Sequence, residues 1–166
     1  MRALRWMVLA GLFVATSSSF PVMGVARSAA DRSADKAEVK KVIEASIGWA
    51  ADKDLALLYS SLAQDSALFI FHPDSGSTIE GFDAFRKHAE RVFMNEAFKA
   101  TGFEIKDLGV TVSESGTVAW FHAYLDDFGE WKGEPVSWIG ARWTGVLEKR
   151  KGKWVITQMH FSFPKD

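Results

Sequence analysis

The apolar positions of this chain change their period part-way along it. In "KAEVKKVIEASIGWAADKD" Val39, Val42, Ile43, Ile47 and Ala50 recur at helical spacing and form a single stripe. Asp35, three residues before Glu38, resembles an N-terminal cap. A shorter helix follows, with Leu55, Leu58, Tyr59 and Leu62 on its buried side. "ALFIFHP" (67–73) is rich in β-formers and stops at a proline, and "SGSTIEG" (75–81) predicts a turn and a short second strand. Helical spacing returns with Phe82, Phe85, Ala89, Val92 and Phe93, and after about residue 99 the pattern is strand throughout. "VTVSESGTVAWFHAY" sets Ser115-Gly116 between two alternating runs, "EKRKGKW" uses Lys151-Gly152 in the same way, and "DDFGEWKGEP" (126–135) reads as a longer connection. Three helices interrupted by two short strands, then a four-stranded antiparallel meander, predict an α+β fold with the helices on one face of a bent sheet.

The last hairpin sets a register and hence a division into faces. "K-R-K-G-K" suits a three-residue loop with Gly152 in the left-handed conformation. That loop pairs Val146 with Ile156, Thr144 with Gln158 and Arg142 with His160. A two-residue loop instead pairs Trp143 with His160 and separates Arg142 from His160; the glycine favours the longer loop. One face then carries Trp120, His122, Tyr124, Trp138, Arg142, Thr144, Gln158 and His160. The other carries Ala119, Phe121, Ala123, Leu125, Ile139, Ala141, Trp143, Leu147, Thr157, Met159, Phe161 and Phe163, and is almost wholly apolar.

Aromatic walls with a few convergent polar groups describe a ligand pocket better than a solvated surface. His122, between Trp120 and Tyr124, is a candidate general base, or else a core histidine bonded to the backbone. His160 is a second catalytic candidate. With Arg142 it would bind a carboxylate or other anion, unless Arg142 instead forms a buried salt bridge with Glu44 or Asp126. Trp120, Tyr124, Trp138, Arg142, Thr144 and Gln158 are the expected ligand contacts. His72, Asp126 and Asp127 read as turn residues, and no role is expected for His88.

Composition narrows the classes. The 166 residues suit one domain, and a net charge of −1 gives no hint of a nucleic-acid or membrane-surface partner. Without cysteine there are no disulfides, thiol nucleophiles or thiolate metal sites. The four histidines lack ligand spacing, so no metal is expected, and no cofactor motif is present. Arg2 and Arg5, the apolar run Trp6 to Ala15 and the small-residue end Gly24-Val25-Ala26 describe a secretory signal peptide, with a run too short to span a bilayer. Residues 1–26 are therefore expected to be cleaved, after Ala26 or at Ala30, with 27–35 a flexible leader and 36–166 the domain. The mature protein would be periplasmic or secreted and free of the membrane.

The N-terminal amphipathic helix, "SALFIFHPDSGSTIEGFDAFRKHAERVF" (66–93) with its Gly81 strand-to-helix step, and the hairpin "R-x-T … G-K-W … H-x-S" within 141–162 carry a resemblance. The sequence resembles SnoaL-like, nuclear-transport-factor-2-like or ketosteroid-isomerase-like domains over about residues 36–164. Similar hairpins end the association domains of calcium/calmodulin-dependent kinases. The resemblance implies a cone, with a strongly curved, mostly antiparallel sheet wrapped around about three helices and a pocket inside it. It would make Arg142, Thr144 and His160 pocket residues, and the apolar sheet face a homodimer interface. The function it implies is binding of a small organic ligand, anionic or aromatic. The alternatives are an isomerase, cyclase or dehydratase using His122 or His160 as general base with Arg142 polarising an oxygen, and a non-catalytic assembly module.

Overall fold

A computed structural model describes residues 28–74 and 76–165. The elements run α1 (Ala29–Gly48), a 3-10 turn (Trp49–Ala51), α2 (Leu55–Ser61), β1 (Phe69–Phe71), β2 (Ile79–Glu80), α3 (Phe82–Val92), β3 (Phe98–Val112), β4 (Val118–Trp131), β5 (Glu134–Arg150) and β6 (Lys153–Ser162). The sheet order is β2-β1-β6-β5-β4-β3. All its pairs are antiparallel except β1 with β6. Three helices against this curved, mostly antiparallel sheet make the expected α+β cone.

The helix starts earlier than its apolar stripe suggests. Ser28 caps α1 by accepting from the Asp31 amide, while Asp31 accepts from the Ser28 amide in return. Residues 29–35, expected as a leader, are therefore helical. Asp35 is not a cap but a buried residue one-third of the way along α1, where Lys149 Nζ and Trp154 Nε1 both donate to its Oδ1 at 2.6 and 3.1 Å. This anchor ties the first helix to the closing hairpin. Asp35→Ala strands the Lys149 ammonium and the indole N–H, and is expected to lower stability by about 3 kcal/mol in urea titrations. The proposed signal peptide lies outside the described residues.

The last two hairpins each turn on two residues with positive φ. Lys132 (54°) and Gly133 (85°) join β4 to β5, and Lys151 (49°) and Gly152 (80°) join β5 to β6. The supposed connection 126–135 is thus mostly strand. In the last hairpin Arg150 faces Lys153, so the loop has two residues, not three. Thr157 is then an extra residue in β6, bulged between Val146↔Gln158 and Leu147↔Ile156, with its hydroxyl donating to the Val146 carbonyl. The final pairs are Thr144↔His160 and Arg142↔Ser162; the expected Arg142–His160 and Thr144–Gln158 pairs do not form.

The apolar face of the sheet turns inward. Phe121, Leu125, Ala141, Trp143, Leu147, Ile156, Met159 and Phe161 are buried with Val39 and Ile43 of α1, Leu58 of α2 and Phe85 and Ala89 of α3. A face already covered by its own helices cannot also be the dimer interface, so that expectation is corrected. Ile139 and Phe163, assigned to the same face, are exposed.

Candidate functional site

The end of the cone is shaped by a second bulge. Between Leu125↔Ala141 and Asp127↔Trp138, β4 spends one residue and β5 spends two. Gly140 takes φ 67°, a conformation that favours glycine. Asp126 fastens the bulge: its Oδ1 accepts the Gly140 N–H at 2.7 Å and its Oδ2 accepts Lys106 Nζ at 2.7 Å. Those bonds, the lysine first, hold its carboxyl below the usual range. The extra residue reverses the alternation of β5, so Trp138 turns inward and Ile139 outward, at 58 % exposure.

Asp127 is in step with Ala123 and Leu125 and also turns inward. Together with His72, Trp138, Phe85, Phe93 and Phe161 it lines a small cavity of about 80 Å³, otherwise walled by Ile47, Ile70, Leu125 and Met159. Asp127 and Trp138 also border a wider, open cleft of about 460 Å³ at the end of the β4–β5 hairpin. Asp127 thus sits where an apolar cavity meets an open cleft.

Burial dominates the electrostatics. It pushes the Asp127 carboxyl up to about 6, and among the described residues no hydrogen bond or cation offsets it. Burial also pulls His72 down, reinforced by His88 and opposed by Asp74. His88 is lowered by burial and by Arg91. The His72 ring is 5.8 Å from that of His88, 5.7 Å from Trp138 and 5.6 Å from Phe161. A carboxyl and an imidazole that line the same apolar cavity, each shifted by burial, are candidates for proton transfer. Among the described residues no group of three or more metal-ligating side chains occurs.

Seven of the eight residues expected at the site lie elsewhere. Trp120, His122, Tyr124, Arg142, Thr144, Gln158 and His160 do share one face, but it is the sheet face turned away from the helices. His122, Thr144 and His160 form one cross-strand row there, with Phe71 beside His160 at 5.8 Å between rings. The His122 ring lies against Gly109, whose absent Cβ would fall 2.3 Å from it. Arg142 is exposed, and Asp126 pairs with Lys106 instead. Trp138 alone of the eight lines the cavity, because the bulge turned it there.

Residues 39–166 match the family model of the SnoaL-like domain. The chain is a member of the SnoaL-like domain family. Among solved structures, this SnoaL-like domain is similar to an NTF2-like protein of unknown function from Pseudomonas putida, with 20 % identity over 81 % of this chain and 89 % of that one and a TM-score of 0.63. A candidate ketosteroid isomerase from Shewanella frigidimarina is 21 % identical over 77 % and 97 %, with a TM-score of 0.60. The association domain of C. elegans CaMKII is 17 % identical over 80 % and 98 %, also with a TM-score of 0.60. No curated protein sequence matches the chain. At these identities the structures speak for the fold. In this SnoaL-like domain the parity Phe121-Ala123-Leu125-Asp127 was the one sequence signal that could have placed Asp127 inside.

Proposed function

We propose that this SnoaL-like domain binds a small, mainly apolar organic molecule inside the cone and moves a proton on it with Asp127. The observation that carries the reading is the Asp127 carboxyl, half-buried in an aromatic wall and pushed up to about 6. A base of that strength is mostly ionised at neutral pH yet strong enough to take a proton from a carbon beside a carbonyl. His72, kept neutral by its surroundings, would donate an N–H to the oxygen where charge develops. The proton leaves carbon for the Asp127 carboxylate, the electron pair moves to oxygen, and return of the proton closes the cycle. That a neighbour in fold is described as a candidate ketosteroid isomerase agrees with this class of chemistry. The test is deuterium exchange into the methyl group of acetophenone, followed by NMR. The protein is expected to accelerate it and Asp127→Asn to remove the acceleration; binding of acetophenone without exchange would make the domain a carrier.

A second copy is inferred to cover the outer sheet face. Trp120 and Tyr124, 48 % and 45 % exposed, stand on it, with exposed Phe71 three strands away on the same face and polar groups between them. The CaMKII association domain shows the same fold in a protein named for assembly. Trp120→Glu with Tyr124→Glu is expected to convert a dimer to a monomer in sedimentation velocity, and a wild-type monomer would refute the interface. Export through residues 1–26 remains part of the same proposal, resting on the basic start and apolar run.

A further inference from the structure

A cleft of about 410 Å³ lies between α3 and the segment entering β2. Its lining brings Lys87, His88 and Arg91 from α3 against Ser77 and Thr78, and includes no carboxylate. In a chain with 21 acidic residues against 20 basic ones, such a one-sided lining is a local feature. Lys87 and Arg91 are four residues apart and so share one side of the helix. Both are exposed, and the helix's ion pair joins Arg86 to Asp83 instead. Among the described residues neither Lys87 nor Arg91 is in a salt bridge.

A chain of ring contacts links the cleft wall to the interior cavity. His88 belongs to its wall, and the His88 ring contacts His72, which in turn contacts Trp138 in the cavity beside Asp127. The carboxylate that acts on His72 is that of Asp74, which is exposed and turns its backbone carbonyl to the Ser77 amide and hydroxyl. Two cations in no salt bridge at one end, hydroxyls opposite them and the His88 ring, packed on His72 behind it, at the other make a polarised site.

We propose that this cleft is an anion subsite, in which Lys87 and Arg91 hold the acidic end of a substrate whose apolar body reaches past His88 and His72 toward Asp127. The ligand class is a small organic acid, a carboxylate or a phosphate monoester on an apolar skeleton. A guanidinium grips either group with two parallel N–H donors, and the lysine adds a mobile point charge. The direction of the apolar end rests on the reading of Asp127 as the reactive centre; the anion grip does not.

The experiment compares 3-phenylpropionate with its neutral counterpart 3-phenylpropan-1-ol by calorimetry, with His88 side-chain resonances followed by NMR. The acid is expected to bind the protein at least about tenfold more tightly than the alcohol, to shift the His88 signals, and to weaken as salt is added. In Lys87→Gln/Arg91→Gln, whose substituted side chains are exposed on a helix surface, the acid should fall to the level of the alcohol while the alcohol is unchanged. Equal acid binding by wild type and double variant overturns the proposal. So does the absence of acid binding up to about 10 mM, since two charge-assisted contacts should exceed that threshold. Inorganic phosphate, too polar for the cavity, should shift His88 in wild type alone. Asp127→Asn separates the two readings: acid preference that survives there supports the subsite even if exchange chemistry is never found.

Discussion

Replacing Trp143 by alanine is expected to lower the folding free energy by about 4 kcal/mol, enough to unfold a large fraction of a marginally stable domain. Trp143 is fully buried at the centre of the sheet's inner face. Its indole stacks on Phe161, at 5.5 Å and 14° between planes, and meets the edge of Phe121 at 4.9 Å. The neighbouring strand leaves no room to collapse into the hole, because Phe121 and the Gln158 carbonyl already press against Gly145, 2.5 and 2.6 Å from where a Cβ would be. Trp143→Phe should cost far less. It keeps the stacked ring and removes an indole N–H that is buried without a partner. Urea unfolding of the two variants side by side checks this, and equal losses would show that ring volume is not what holds the cone.

Asp127→Asn is expected to abolish proton exchange, by roughly a hundredfold or more, while making the protein more stable at neutral pH. The two effects share one cause. An aspartate raised from 3.8 to about 6 holds its proton more tightly folded than unfolded. The folded state therefore binds more protons between about pH 4 and pH 6, and stability falls as pH rises through that window. Above it the penalty is constant, on the order of 3 kcal/mol. Asparagine carries no charge to bury, so its stability should be flat across the same window. The exchange rate should run the other way, rising through about pH 6 as the base ionises. A variant that is both inactive and less stable at pH 7 would mean that the carboxylate is needed for structure.

The sequence made the architecture readable because its strongest signals are local. The stripe from Val39 to Ala50, the Phe82 to Phe93 period and the Ser115-Gly116 and Lys151-Gly152 turns each appear in the structure near where they were expected. The faces of the sheet were harder. A two-residue alternation carries no memory across an inserted residue, and the bulges at Gly140 and Thr157 each add one. The first moved Trp138 inside and Ile139 outside. The second restored a common face for Thr144 and His160 that a two-residue turn alone would have denied them.

Inside and outside were also exchanged for a physical reason. In a sheet wrapped around helices the apolar side is the concave one, and the mixed aromatic and polar side is left to solvent or a partner. That outer side imitates a pocket in composition, with Trp120, Tyr124, His122 and Arg142 together. The inner site carries only one acid and one imidazole among rings, and Asp127 was hidden in a stretch whose Asp-Asp, Gly and Pro residues resemble a loop. Its strand continues because Lys132-Gly133 makes the turn five residues later.

The reactive centre proposed for this domain is the half-buried carboxyl of Asp127, inside the cone. Its most direct test needs no substrate: a carbon-13 NMR titration of the Asp127 side-chain carboxyl in the intact protein. A midpoint near 6, with Asp126 titrating below the usual carboxylate range, is the predicted result. A midpoint near 4 would place Asp127 in water and contradict the account.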